Sequence, residues 1–206
     1  MARTRPADRE PLASFDAWAG STLQAYSQFQ VLCALRRGAF GVEGLNETIA
    51  QALRRAGLIR ATEGWYAGRP VLVTSNDYSL GLMNGDIGIT LELPARQWLN
   101  GKEVIEPERK VLRVAFPAGD GSGGIRWVLP SRLQSVETVY AMTVHKSQGS
   151  EFGHACLVLP DRITPVLTRE LIYTGITRAR SWFSLLTPVN GVLDQAVGRQ
   201  VLRTSG

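Results

Sequence analysis

Two cysteines, two histidines and no apolar run near the ~20 residues of a bilayer span set the first limits on this 206-residue chain. Cys33 and Cys156 sit inside the apolar runs VLCAL and ACLVLP, so they read as small buried hydrophobes in a reducing compartment, not as a disulfide. With His145 and His154 as the only imidazoles and no CxxC, the ligand sets of a zinc site cannot be assembled, and no metal site is assigned. The opening MARTRPADREP carries charge but no apolar core, so it does not read as a secretory signal. Residues 1–13 are expected to form a disordered lead-in. No membrane segment is expected, and a cytoplasmic setting fits the cysteine usage. Also missing are GxxxxGKS or GxxxxGKT and an acidic pair closing a strand, the parts that cradle nucleotide phosphates and hold Mg²⁺.

What is present suffices for a folded domain. Hydrophobic residues make up 44% of the chain, enough for a core. The formal net charge is +5, which favours an anionic partner because Lys and Arg that neutralise phosphates release counterions. Almost all of those basic residues are Arg, a bias that genome composition alone can produce, so the charge carries modest weight.

The patterning predicts an α/β fold. Phe15, Trp18, Leu23 and Tyr26 recur at helical spacing over 14–29, with Ser14 as N-cap. Residues 30–35 read as a buried strand, and 42–56 as a helix with Leu45, Ile49, Ala52 and Leu53 on one face and Gly57 beyond its end. A further buried strand spans 69–74. From 85 to 133 the texture changes to short β-like pieces, DIGITLEL, VLRVAF and IRWVLP, separated by Gly- and Pro-rich connections. This stretch is expected to be a small β-barrel inserted into an α/β domain made of 14–84 and 134–206. Strands at 139–144, 155–159 and 183–186 and a helix over 168–180 complete a parallel sheet with helices on both faces. In such sheets ligands bind beyond the carboxyl ends of the strands.

Two stretches bring chemistry. In TVYAMTVHKSQGSEF, a strand runs into a turn bearing Thr143, His145, Lys146, Ser147 and Gln148. Hydroxyls, an imidazole and an ammonium on one turn can grip a phosphodiester strand without reading its sequence. Gly149 allows positive φ or close approach of a phosphate, and Glu151 can accept from a ribose hydroxyl. The plainer alternative is a polar connection that Gly149 merely turns. In LIYTGITRAR, Arg178 and Arg180 are placed on the predicted helix near Thr174 and Thr177. A guanidinium fork can neutralise a γ-phosphate in phosphoryl transfer, or it can simply complement a helix C-terminus. Arg36 and Arg37 after the first strand could make another phosphate contact or close a loop. Asn76, Asp77, Asn84 and Asp86 are better explained by turns than by a metal. Trp65, Tyr66, Trp98 and Trp127 are possible base-stacking platforms, Trp127 being better placed in the barrel core.

The two stretches lie within about forty residues of each other and resemble motifs V and VI of superfamily 1 helicases. The form HKSQGSEF, with FQVLCALRRGAFGVEGLN and GRPVLVTSNDYSLGLMNGDIG upstream, resembles the RecD helicase family, the alpha subunits of exodeoxyribonuclease V. The resemblance runs from about Phe15 onward, with little of it in 92–110. It implies a second RecA-like motor domain interrupted by an SH3-like barrel. It implies that Arg178 is the motif VI arginine finger and Arg36 the motif IV arginine reaching the same γ-phosphate. Gly149 and Glu151 would lie near the γ-phosphate and ribose, and Thr143 and His145 would face single-stranded DNA, with Lys146 as a further candidate. Leu35 stands where many relatives stack an aromatic on adenine, so no base stacking is expected there.

The function so implied is the C-terminal motor half of an ATP-dependent 5′–3′ DNA helicase acting with RecB and RecC in double-strand-break repair and recombination. Mg²⁺ would be held by the P-loop domain, which this chain lacks, so the chain alone should hydrolyse nothing. Two alternatives remain open: the helicase part of a conjugative relaxase or another superfamily 1 motor, and a non-catalytic module that binds single-stranded DNA.

Overall fold

The computed structural model describes residues 4–199 apart from 101, 120 and 122, and only the backbone of Trp98 and Lys102. In chain order the elements are α1 (Leu12–Tyr26), β1 (Phe29–Cys33), α2 (Val42–Arg55), β2 (Pro70–Val73), β3 (Ile87–Leu99), β4 (Lys102–Pro117) and β5 (Ile125–Val128). A short 3-10 turn (Pro130–Arg132) leads to β6 (Val136–Thr138), β7 (Ala141–Thr143), β8 (Phe152–Val158), α3 (Arg169–Ile176), β9 (Ala179–Leu186) and α4 (Val192–Gly198). The fold is mixed α/β, with a four-stranded parallel sheet and a separate five-stranded antiparallel sheet. The chain divides into two units. One comprises Met1–Ala25 and Ala52–Val139, the other Tyr26–Gln51 and Tyr140–Gly206.

The parallel sheet belongs to the second unit and has the order β7-β1-β8-β9. Its strands are short apolar runs, and Leu32, Cys33, Ala141, Met142, Ala155 and Leu157 are buried, as expected for a sheet covered by other chain. Strand β7 is an edge, and Asn46 of α2 closes it. The Asn46 Oδ1 accepts from Ala141 N at 3.0 Å while its Nδ2 donates to Ala141 O at 3.2 Å. Helix α3 is capped by Thr168, whose Oγ1 accepts from Leu171 N. Gly175 lets α3 lie close on β8, since a Cβ there would sit 3.1 Å from Leu157 Cδ2. Val192 and Ala196 of α4 are buried, and α4 lies against α3.

The antiparallel sheet of the first unit has the order β5-β4-β3-β2-β6. Val71, Val73, Leu82, Val114, Phe116 and Val128 form its core, with Trp65 packed against them. Strands β3 and β4 make a long hairpin whose register shifts between Pro94 and Ala95. Pro94 and Pro107 lack the N–H that a regular ladder requires, which explains an irregularity here. At its tip Asn100 takes the left-handed φ of 52°, a conformation Asn tolerates better than most residues. Trp127 on β5 donates its Nε1–H to Asp16 of α1 at 2.6 Å.

Several elements differ from the sequence expectation. Strand β2, read as part of the parallel sheet, pairs antiparallel with both β3 and β6. A short buried PVLV run suits either sheet, so its direction is decided by partners remote in sequence. The expected 139–144 strand shortens to β7, which starts at Ala141 in the parallel sheet, while the preceding β6 ends at Thr138 in the antiparallel one. The first unit therefore takes in more than the expected 85–133 insert, since β2, β6 and residues before Ala25 join it. Helix α1 starts at Leu12, so Ser14 lies inside it and caps nothing; Phe15 and Ala19 are its buried residues. In α2 the buried residue is Ala50, whereas Ala52 is exposed. Of the expected disordered lead-in, residues 1–3 lie outside the described part. Beyond them Arg5 pairs with Asp8 at 2.8 Å and donates to Glu92 O, and Lys110 also pairs with Asp8. Lys110 and then Arg5 hold the Asp8 carboxyl below its ordinary pKa.

Candidate nucleotide and nucleic-acid site

The turn after β7 crosses the parallel sheet from one end to the other. Thr143 is in register with Cys33 near the carboxyl end of β1. After eight residues the chain enters β8, whose His154 is in register with Phe29 at the amino end of β1. Residues 144–151 therefore span the length of the sheet. Hydrogen bonds within the turn shape it. Thr143 Oγ1 accepts from Lys146 N at 3.2 Å and Thr143 O from Ser147 N at 3.2 Å. The fully buried Ser147 donates its Oγ–H to Val144 O at 2.7 Å, so this hydroxyl shapes the turn instead of facing a ligand. His145 is exposed and Lys146 half-buried. Gly149 has φ of 86°, with nothing within 4 Å of where a Cβ would be. The turn needs the left-handed backbone there and leaves the space beside it open.

Helix α3 does not reach the arginines. It ends at Ile176, Thr177 is its C-cap, and β9 begins at Ala179, so Arg178 lies in the connection and Arg180 on a strand. The expected helix over 168–180 is thus corrected. Arg and Ala favour helix locally, but the hydroxyl of Thr177 folds back onto Thr174 O at 2.9 Å and the following residues pair with β8.

Arg178 ties the two stretches together. Its Nε donates to Thr174 O at 3.2 Å, Nη1 to Ser150 O at 3.1 Å and Nη2 to Thr177 Oγ1 at 3.2 Å. Phe152 N donates back to Arg178 O at 2.8 Å. Of the five N–H groups of a guanidinium, one on each terminal nitrogen has no bond among the described residues. The bond to Thr174 O also satisfies an orphan carbonyl of the last turn of α3. Arg178 therefore caps the helix and presents a fixed fork. Next to it, Arg180 Nε pairs with Glu151 Oε2 at 3.1 Å, both side chains being more than half exposed. Gly149, Glu151, Arg178 and Arg180 are gathered at the amino end of β8 and β9, whereas Thr143 and His145 lie at the carboxyl end of β7.

Arg36 is elsewhere. It is an exposed residue three positions after Cys33, beyond the carboxyl end of β1. Phe152 pairs with Ala179, which puts Arg178 before the amino ends of β8 and β9. The seven residues of β8 separate these levels by ~20 Å at about 3.3 Å per residue. The structure brings Arg178 together with Gly149 and Glu151 and places Arg36 beyond the other end of the sheet. Arg36 emerges at the same end as Thr143 and His145, in the connection after β1, the strand adjacent to β7.

The remaining candidates fall out as follows. The Asp77 Oδ1 accepts from Ser79 Oγ at 2.7 Å and Leu80 N at 3.1 Å, and Asp86 accepts from Met83 N, so both carboxylates build turns. Among the stacking candidates, Trp65 carries the Arg69 guanidinium 4.7 Å from its ring centre and Tyr66 is buried. Trp127 is held by Asp16, and the Trp98 side chain lies outside the described part. Cys33 and Cys156 are buried free thiols; burial pushes the Cys33 thiol up to about 12. Sequence reasoning missed the Asn46 clamp, the Ser150 carbonyl and the Glu151–Arg180 pair, because each depends on residues distant in the chain.

Residues 138–186, which hold both turns, match the UvrD-like helicase C-terminal domain. Over that segment the chain is similar to the C-terminal domains of helicases. Over 183 residues the chain is 39% identical to the RecBCD enzyme subunit RecD of Haemophilus influenzae, a match covering 88% of this chain and 24% of that protein. It is 34% identical over 198 residues to the RecD subunit of Mycolicibacterium smegmatis, covering 96% of this chain and 30% of that one. The ATP-dependent RecD2 DNA helicase of Deinococcus radiodurans is 34% identical over 157 residues, covering 75% of this chain and 19% of that one. The chain is a relative of the RecD helicase subunits and spans less than a third of their length.

Proposed function

We propose that these residues form the C-terminal motor half of a RecD-type, ATP-dependent 5′–3′ DNA helicase. Its setting would be the cytoplasmic exodeoxyribonuclease V assembly with RecB and RecC, in double-strand-break repair and recombination. In this reading the parallel sheet is the second RecA-like domain and the antiparallel sheet an SH3-like insert. ATP would bind between this domain and a P-loop domain outside the 206 residues, and that domain would hold the Mg²⁺.

The observation that carries the proposal is the bond from Arg178 to Ser150 O. It fixes a guanidinium fork beside Gly149 and Glu151 at one end of the sheet, while Thr143, His145, Lys146 and Arg36 emerge toward the other. A fork held from three sides loses little freedom on meeting a phosphate. Arg178 stabilises charge developing on the γ-phosphate, Gly149 keeps the backbone open to it, and Glu151 accepts from the ribose once it leaves Arg180. The carboxyl end grips the phosphodiester strand. Because residues 144–151 connect the two ends directly, closure on the nucleotide moves the grip on the strand.

The test is DNA-stimulated ATP turnover by the full-length parent, wild type against Arg178→Ala. We expect a fall of ~10²-fold or more with nucleotide affinity retained. Unchanged turnover would reduce Arg178 to a helix cap and favour a non-catalytic binding module. The chain alone is expected to hydrolyse no ATP. The likeness to the RecD2 helicase supports a second reading, in which the parent works without RecB and RecC. Co-purification of the parent with those subunits from its own cells decides between the two.

A further inference from the structure

The loop between β2 and β3 and the segment before β6 enclose a cleft of about 400 Å³ in the antiparallel unit. That volume is in the range of small-ligand sites and far too narrow for a duplex. Tyr78 stands at it with 78% of its surface exposed. The ring is steadied by Asn76, whose Nδ2 donates to Tyr78 Oη at 3.2 Å, while Asn76 Oδ1 accepts from Asn84 N at 2.8 Å. Gln134 and Ser135 add an amide and a hydroxyl on the facing side. The acid in the cleft, Asp77, is committed to its turn, and Arg132 stands near enough to help hold its carboxyl below the ordinary range, after the larger effects of Ser79 and Leu80. The loop itself is anchored by Arg126, which donates to Gly81 O and to Ala118 O.

We infer that this cleft binds one unpaired nucleotide of a single-stranded DNA, the base stacked on Tyr78 and its edge met by the amides of Asn76 and Gln134. An aromatic face with sequence-tolerant polar neighbours suits a stacked base of any sequence. Tyr78 has no core role to explain it, because most of its surface meets solvent. The inference rests on the single-strand reading above and adds a contact in the other unit.

The experiment uses this chain with oligothymidylate carrying 5-iodouracil, irradiated and mapped by peptide mass, alongside binding isotherms for Tyr78→Ala and Tyr78→Phe. We expect a crosslink to the peptide holding Tyr78, about tenfold weaker binding for Tyr78→Ala, and binding within about twofold of wild type for Tyr78→Phe. Crosslinks confined to the His145 peptide, with Tyr78→Ala binding as wild type, overturn the cleft site and leave strand binding by the parallel sheet standing. No retention of the oligonucleotide overturns both.

Discussion

Replacing Asn46 by Ala should unfasten the edge of the parallel sheet. In this three-residue strand, Ala141 points its N–H and C=O outward from β7, and Asn46 meets both. Ala141 has 0% of its surface exposed. A buried backbone group left without a partner costs about 1–3 kcal/mol. Two such groups, with some water reaching the edge, amount to about 2–4 kcal/mol. At a mid-range urea dependence of ~2 kcal/mol per molar, the midpoint of urea unfolding should fall by roughly 1–2 M, and the Ala141 amide should exchange faster. Asn46→Asp separates hydrogen bonding from packing. Its neutral acid offers one donor and one acceptor, like the amide, whereas its carboxylate places lone pairs against Ala141 O. The folded state therefore raises the pKa of this Asp above the ordinary value of about 3.9. The loss relative to wild type is then small below that pH and grows as pH rises through the raised folded value, while the Asn46→Ala loss stays flat with pH. A midpoint for Asn46→Ala indistinguishable from wild type would refute the edge-clamp reasoning.

Three further outcomes follow from the geometry. Gly149→Ala meets no atom but imposes a side chain on a φ of 86°, so it should cost about 1–2 kcal/mol by thermal or urea unfolding; no loss would mean the turn readily adopts another backbone. Trp127→Phe removes the 2.6 Å bond to Asp16 and should cost about 1.5–3 kcal/mol, whereas Asp16→Asn, which keeps an acceptor, should cost less in the same assay. The Cys33 thiol, pushed up to about 12 by burial, should resist a thiol-specific reagent at pH 8 until urea unfolds the chain; prompt labelling of the native protein would contradict its burial.

How much was legible in the sequence depends on how local each determinant is. The apolar runs at Val31–Cys33 and Ala155–Val158 declared strands, and the helix signal of α2 came through because its period and the Gly57 beyond its end lie within one window. The direction of β2 was not legible, since a run of four buried apolar residues is the same in a parallel or an antiparallel neighbourhood. The long β3–β4 hairpin had a local signal that went unused, the Asn100–Gly101 pair between two extended runs. The site divides the same way. His145, Lys146 and Gly149 could be placed on a turn from their own neighbours, but that the turn crosses the sheet follows only from its register with β1. That Arg36 and Arg178 lie at opposite ends was hidden for the same reason: a residue's distance from a strand is readable in sequence, while the end of the sheet it faces is a property of the topology.

The chain passes from one unit to the other three times, after Ala25, Gln51 and Val139, so neither unit is continuous in sequence. This bears on modular exchange between relatives. A graft of residues 52–139 has natural seams at both ends, yet it would carry Trp127 away from Asp16, and Glu92 and Lys110 away from Arg5 and Asp8. A chimaera that respects those bonds must move the first 25 residues with the cassette. Recombination at a single crossover cannot achieve that, and the two segments of the first unit should therefore change together when the antiparallel sheet is traded for another.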